Sequence, residues 1–178
     1  MKRIAVDMDE VLADFSGHLL AIMNEKLGTR YTKEDAKGKF VFELFPEHEE
    51  LMREIVHSDQ FFRGLPVIEG SQDALERLSE HYEIMIATAA MYIPESFQAK
   101  YDWLKAHFPF LNYELFNFCG DKSTIRADYL IDDSPKQLAR FGEGGVMFTA
   151  SRNIEEDYPV RCTGWDEVEA YFMNELKK

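Results

Sequence analysis

The chain contains several short apolar runs, each of which ends at an acidic or hydroxyl side chain. The runs occupy residues 4–6 before Asp7, 84–87 before Thr88, 129–131 before Asp132, and 146–148 before Thr149. Runs that are apolar on both faces are typical of strands in a parallel sheet that helices cover on both sides. The pattern therefore predicts four buried strands with polar residues at their carboxyl ends.

Helical patterns separate these runs. Ser71 is predicted to cap a helix that carries Ala74, Leu75 and Leu78 on one face. Pro94 stands where the first turn of the next helix is expected. Strands that alternate with helices form βαβ units, so the predicted fold class is α/β, with a mostly parallel sheet flanked by helices.

One segment, residues 16–70, does not follow that alternation. It contains two helical patterns, at 18–27 and 49–57, with an aromatic stretch between them. We interpret this segment as a small helical cap inserted after the first strand, over the edge of the sheet. The α/β core domain would then comprise residues 1–15 and 71–178.

Composition narrows the range of partners. The 178 residues include 20 Lys and Arg against 33 Asp and Glu, a formal net charge of −13, while 14 Phe and 8 Tyr supply ample apolar surface for a core. Affinity for a nucleic-acid backbone or an anionic membrane depends on basic residues, so neither is expected as a partner. The sequence leaves open whether the chain forms a homodimer.

The sequence carries no targeting or redox signal. The first seven residues do not contain the run of about 7–15 apolar residues that a signal peptide needs, so we expect a cytoplasmic protein. Cys119 and Cys162 have neither zinc nor redox spacing, and we expect each to be a small buried apolar residue.

Polar side chains are predicted to converge at one rim of the sheet, because ligands of open α/β sheets bind at the carboxyl ends of the strands. Two like charges about 4 Å apart repel by about 4 kcal/mol at an effective dielectric near 20, so converging carboxylates need a positive partner. Mg²⁺ typically binds through one or two carboxylates and a substrate phosphate. The rim therefore predicts a Mg²⁺ ion together with an anionic substrate. Its members are Asp7, Asp9, Thr88, Lys122, Asp132 and Asp133.

Two of these carboxylates fit the catalysis of phosphoryl transfer. Asp7 directly ends the first strand and could attack phosphorus to form an aspartyl-phosphate. Asp9 lies two residues further on, on the same side of an extended chain. It could protonate the leaving alcohol and then accept a proton from the hydrolytic water.

The remaining members fit supporting roles. Thr88 would donate its hydroxyl to a phosphoryl oxygen, and Lys122 would offset charge on the transferring group. Asp132 would bind the metal, while Asp133 would orient a metal-bound water or Lys122.

The same residues resemble the motifs of haloacid-dehalogenase (HAD) superfamily phosphatases. Residues 7–12 are similar to the first motif, and Thr88, Lys122 and residues 129–133 are similar to the second, third and fourth, in the same order. The resemblance covers about residues 1–150 and implies a HAD-like Rossmannoid fold. It also implies a nucleophile at Asp7, an acid/base at Asp9, and Mg²⁺ bound by the Asp7 side chain, the Asp9 backbone carbonyl and Asp132. Dehalogenase members lack the second Asp, so the chain resembles the phosphatase branch.

A closer resemblance is to the 5′(3′)-deoxyribonucleotidases, which remove phosphate from deoxyribonucleoside monophosphates. It is carried by residues 7–15, by Phe61-Phe62 ahead of Gly70, and by residues 127–133. It implies a small helical cap over the site and a base flanked by Phe15 and Phe61.

The chain departs from that family pattern twice. Ala89 stands where the family usually has Ser, and Gly120 stands where Arg precedes the Lys by two residues. Both departures remove donors near the substrate phosphate or sugar.

The expected function is Mg²⁺-dependent hydrolysis of a small phosphorylated metabolite, with a deoxyribonucleoside monophosphate favoured. A phosphatase of a sugar phosphate or another metabolite is the alternative, because the cap chooses the substrate. A phosphoacceptor signalling domain is disfavoured by motif order, and a catalytically silent binding domain by the complete acidic set. Phe15 and Phe61 could equally pack the cap on the core, and Phe40, Phe42 and Phe45 are expected inside the cap.

Overall fold

A six-stranded parallel sheet forms the centre of the protein. The computed structural model describes residues 1–178. The strands are β1 (Arg3–Val6), β2 (Glu83–Thr88), β3 (Phe116–Phe118), β4 (Tyr129–Asp132), β5 (Gly145–Phe148) and β6 (Arg161–Cys162). Their spatial order is β3-β2-β1-β4-β5-β6, and every neighbouring pair is parallel. The α/β prediction and its four strands are confirmed, and the two edge strands, β3 and β6, are additional.

Seven α-helices accompany the sheet. They are α1 (Phe15–Leu27), α2 (Glu49–Val56), α3 (Asp59–Arg63), α4 (Ser71–Ser79), α5 (Phe97–His107), α6 (Pro135–Phe141) and α7 (Trp165–Glu175). None of them is both long enough and apolar enough to span a membrane.

The strand order places a topological switch between β1 and β4. From β1 the chain builds outward through β2 and β3, and it then returns to the other side of β1 to form β4, β5 and β6. Asp7 follows β1 and Asp132 ends β4, so both lie at the carboxyl side of this switch. A switch of this kind opens the crevice in which α/β proteins bind ligands.

Helix α4 begins differently from the prediction. Gly70, with φ of 79°, occupies the capping position, and Ser71 is the first helical residue. The Ser71 hydroxyl is buried without a hydrogen-bond partner. The capping assignment was therefore wrong by one residue, because Gly70 adopts the left-handed conformation that the turn requires.

Helices α1, α2 and α3 lie between β1 and α4 in the chain, where the insertion was predicted. Their apolar faces are continuous with the core of the sheet. Met23, Met52 and Phe62 belong to the same cluster of 35 buried residues as Ile4 and Ile131. The segment is therefore packed onto the sheet rather than built around a separate core, and its division from the core domain stays a prediction.

Candidate active site

A cavity of about 590 Å³ opens at the carboxyl ends of β1 and β4, between the sheet and the inserted segment. Five of the six predicted rim residues line it, which are Asp7, Asp9, Lys122, Asp132 and Asp133. Thr88 is fully buried and does not line the cavity. The sequence therefore predicted where the cavity lies, but the Thr88 hydroxyl lies behind the cavity wall.

Lys122 joins the carboxylates that follow β1 and end β4. Its Nζ lies 2.7 Å from Asp7 Oδ1 and 2.5 Å from Asp132 Oδ2. Burial disfavours the ammonium, but Asp7 and Asp132 outweigh that cost and raise the pKa of Lys122 above its ordinary value. Lys122 is therefore a permanent positive charge at the cavity floor.

Asp133 has a different partner from the one predicted. Arg152 donates to both of its carboxylate oxygens, Nε to Oδ2 at 2.6 Å and Nη2 to Oδ1 at 2.8 Å. Lys122 is instead positioned by Asp7 and Asp132, so of the two roles predicted for Asp133 the orientation of Lys122 does not hold, and the orientation of a metal-bound water stays a prediction. Arg152 follows β5 within a short helical turn, and no strand-end pattern marked it.

Asp9 is held by a lysine that the sequence analysis did not identify. Lys100 Nζ, on α5, donates to Asp9 Oδ2 at 2.5 Å and to Thr88 Oγ1 at 3.0 Å. The other Asp9 oxygen, Oδ1, is buried without a hydrogen-bond partner. One signal was present in the sequence, since Lys100 lies on the same helix face as Trp103 and Leu104, where a charge is unusual.

Asp7, Asp132 and Asp133 fit a divalent cation. All three are buried, and the ligand oxygens that they offer lie within 4.8 Å of one another. Hard oxygen donors of this kind suit Mg²⁺ and similar ions. Asp133 joins the two predicted side-chain ligands, Asp7 and Asp132, in this cluster. The predicted contribution of the Asp9 backbone carbonyl stays a prediction, and the Asp9 side chain faces Lys100.

The carboxylates at the cavity floor are paired with fixed cations. Lys122 pairs with both Asp7 and Asp132, Lys100 pairs with Asp9, and Arg152 pairs with Asp133. Three cations therefore serve four carboxylates, and Asp7 and Asp132 share a single positive charge.

The same charges should make the metal-free protein less stable at higher pH. Burial raises the pKa of both Asp132 and Asp133 to about 7. The native state therefore binds protons that the unfolded chain releases, and stability falls as pH rises from about 4 to about 7. In EDTA, we expect Asp132→Asn to gain on the order of 2–3 kcal/mol relative to wild type between pH 5 and pH 8.

Urea unfolding of both proteins at the two pH values measures this difference. Comparison with Asp132→Asn cancels the titration of groups outside the site, including the histidines. A relative stability that stays constant between pH 5 and pH 8 would show that Asp132 is not protonated in the metal-free native state.

Aromatic side chains line the cap side of the cavity. Phe15, Phe40, Phe42 and Phe62 belong to its wall. Phe61 and Phe62 are equally buried, at 2% exposure each, and Phe61 packs against Phe15 with ring centroids 5.0 Å apart. Of the two, Phe62 lines the cavity and Phe61 does not, since neighbouring residues of a helix point in different directions.

The aromatic stretch of the cap divides between wall and interior. Phe45 is buried, as expected for a residue inside the cap. Phe40 and Phe42 reach the cavity instead, and Phe40 is 53% exposed.

The two positions that depart from the family pattern lie in different surroundings. Ala89 lines the cavity. The Gly120 carbonyl accepts a hydrogen bond from Gln137 Nε2 at 3.0 Å, and a Cβ at Gly120 would lie 3.5 Å from Met91 Cβ. The polar side chains of Ser134, Gln137 and Arg152 line the same cavity as Ala89.

Comparison with known proteins places the chain among nucleotidases. The family model described as "5′ nucleotidase, deoxy (Pyrimidine), cytosolic type C protein" matches residues 1–176. A Staphylococcus epidermidis protein, provisionally described as a 5′(3′)-deoxyribonucleotidase, is 48% identical over 177 residues, which cover 99% of this chain and 98% of that protein. The 5′(3′)-deoxyribonucleotidase of Bacillus subtilis is 33% identical over 168 residues, covering 94% of this chain and 96% of that protein.

A solved structure supports the fold. A Bacillus subtilis protein, provisionally described as a HAD hydrolase and bound to magnesium, superposes with a TM-score of 0.61. It is 14% identical, and the match covers 97% of this chain and 98% of that one. The HAD-like arrangement of the sheet and its helices is therefore confirmed.

Proposed function

The chain belongs to the 5′-nucleotidase, deoxy (pyrimidine), cytosolic type C family, and we propose that it hydrolyses 2′-deoxyribonucleoside monophosphates through an aspartyl-phosphate on Asp7. The observation that carries the proposal is the geometry of two carboxylates in one cavity. Asp7 is fixed by Lys122, and Asp9 keeps one oxygen without a partner. The first arrangement suits a nucleophile and the second suits a group that exchanges protons.

Asp7 performs the first step. One of its oxygens forms a bond to phosphorus as the ester bond breaks, and Asp9 gives a proton to the leaving oxygen. Water then attacks phosphorus, Asp9 takes its proton, and the bond between Asp7 and phosphorus breaks to release phosphate. Lys100 holds Asp9 in place at 2.5 Å throughout both steps.

Lys122 stabilises the transferring group. Its Nζ lies 2.7 Å from Asp7 Oδ1, so the ammonium lies beside the carboxylate that becomes attached to phosphorus. A fixed positive charge in a buried site stabilises developing negative charge more strongly than the same charge in water.

Asp7 and Asp132 would hold Mg²⁺, with Asp133 beside them. The B. subtilis hydrolase with the same fold is bound to magnesium, which supports this choice of ion. When bound, the ion supplies positive charge to the phosphoryl oxygens and orients the phosphate toward the nucleophile.

The aromatic wall supports a nucleotide rather than a bare sugar phosphate. Phe15 and Phe62 line the cavity on the side of the inserted segment. Planar aromatic surfaces of this kind bind a base by stacking or edge contact. The names of the relatives, 5′(3′)-deoxyribonucleotidase, point to the same substrate class.

A substrate panel tests this function. We expect wild-type protein to release phosphate from dTMP and dUMP in MgCl₂, with kcat/KM at least about tenfold above that for ribonucleotides and sugar phosphates, and to lose activity in EDTA. Phosphate release is measured by a colorimetric assay, with the metal restored as a control. A preference for sugar phosphates would establish the alternative function, and release in EDTA would exclude the metal.

A further inference from the structure

Glu10 is the one non-glycine residue with a positive φ, at 64°. L-residues rarely adopt this conformation because Cβ crowds the backbone, and glycine is the usual occupant. Strained backbone of this kind concentrates at functional sites, where the surrounding structure holds it in place. Its position supports such a role, because Glu10 follows Asp9 directly and lines the same cavity.

The Glu10 carboxylate has few partners in the protein. Oε1 accepts a hydrogen bond from the Ser16 backbone N–H at 2.5 Å, and no Lys, Arg or His forms an ion pair with it. A carboxylate can accept about four hydrogen bonds, so acceptor capacity remains on the cavity side.

Glu10 connects the phosphate site with the aromatic wall through its neighbours. It directly follows Asp9, and its Oε1 accepts a hydrogen bond from the backbone N–H of Ser16, the residue after Phe15. Asp9, Glu10, Phe15 and Ser16 all line the same cavity. In a nucleoside monophosphate, the sugar separates the phosphate from the base. A deoxyribose that carries one phosphate has a single free hydroxyl, which is a hydrogen-bond donor.

We propose that Glu10 accepts a hydrogen bond from the free sugar hydroxyl of the nucleotide and thereby determines substrate specificity. The inference rests on the proposed function, since it concerns the sugar of that substrate. A purely structural role is the competing explanation, because Ser16 N–H belongs to the first turn of α1 and Glu10 satisfies it. Asp14 satisfies another donor of the same turn, Gly17 N–H, at 2.9 Å.

The two roles predict different results for paired substrates. The probes are dTMP and 3′-deoxythymidine 5′-monophosphate, which differ only in the 3′-hydroxyl. We expect wild type to prefer dTMP in kcat/KM by about 10- to 100-fold, the range of a hydrogen bond to a charged group. In Glu10→Gln, the amide oxygen can still accept from Ser16 while its NH₂ faces the cavity, so the preference should fall to within about threefold.

Two further variants make the test decisive. Glu10→Gly removes the side chain and relieves the backbone, so it should also lose the preference even if Glu10→Gln is unstable. Glu54→Gln, an exposed change on α2, should keep the wild-type preference. A wild-type ratio near one, or a wild-type preference in Glu10→Gln together with a lower Tm, would overturn the proposal and leave only the capping role.

The outcomes also distinguish failure of the Glu10 role from failure of the proposed function. If wild type hydrolyses both probes and Glu10 variants keep the same ratio, the proposed function stands and the role of Glu10 fails. If wild type releases phosphate from neither probe, the proposed function fails, and the assignment of Glu10 to a nucleotide sugar fails with it.

Discussion

The Asp7→Asn variant is expected to lose at least about 10⁴-fold in kcat while keeping the wild-type fold. A carboxamide is not a nucleophile toward phosphorus, so no aspartyl-phosphate can form. The side chain keeps its size, and its oxygen can still accept hydrogen bonds from Lys122 and from the Met8 backbone N–H. We therefore expect the loss in rate without a comparable loss in stability.

A rapid acid quench distinguishes this mechanism from direct attack by water. Wild-type protein mixed with substrate and Mg²⁺ should give a phosphorylated peptide containing Asp7, and Asp7→Asn should give none. Asp73→Asn is a matched control, since Asp73 is an exposed residue of α4 and should leave the rate unchanged. If Asp7→Asn retained a tenth of the wild-type rate, Asp7 could not be the nucleophile.

Sequence patterns predicted the centre of the sheet better than its edges. Residues Ile4 and Ile131 lie in strands that are buried on both faces, so hydrophobicity alone identified them. The edge strands β3 and β6 contain three and two residues, and β3 is only half-buried. Their strand conformation follows from pairing with β2 and β5, which a local pattern does not contain.

Some residues of the site could likewise be predicted from local sequence patterns, and others could not. Asp7 and Asp132 were predictable because each is attached to a buried strand, and parallel strands bring their carboxyl ends together. Lys100 and Arg152 were missed because each reaches the cavity from an element that is remote in sequence. The choice of Phe62 over Phe61 depends on the rotation of the short helix α3, which the sequence does not determine.

Some of the acidic residues behind the net charge of −13 lie at the floor of the cavity. Acidic residues at the cavity floor attract a dication, while Lys100, Lys122 and Arg152 supply fixed positive charge beside it. A bound dication would act together with these three residues to supply positive charge to the phosphate. An acidic protein can in this way bind a small anionic substrate while its surface disfavours a nucleic-acid polymer.

Lys122→Met should reduce both stability and activity. We expect a divalent ion to restore part of the lost stability but not the lost activity. The variant leaves the carboxylates of Asp7 and Asp132 buried without their shared cation. Removal of one partner from a buried ion pair costs about 3–5 kcal/mol, and we expect this loss in EDTA. A divalent ion should restore part of the stability, since it supplies the missing positive charge. It should not restore kcat, which we expect to fall by about 10²–10³-fold because the fixed charge beside Asp7 is gone.

Unfolding in urea, with EDTA or with MgCl₂, measures the first effect, and initial rates with dTMP measure the second. Lys26→Met is the control, because Lys26 is an exposed residue of α1 without an ion pair. Recovery of both stability and kcat on adding Mg²⁺ would mean that Lys122 only neutralises the carboxylates. Recovery of stability alone would separate its two roles, because the ion replaces the charge between Asp7 and Asp132 but not the donor that faces the transferring phosphoryl group.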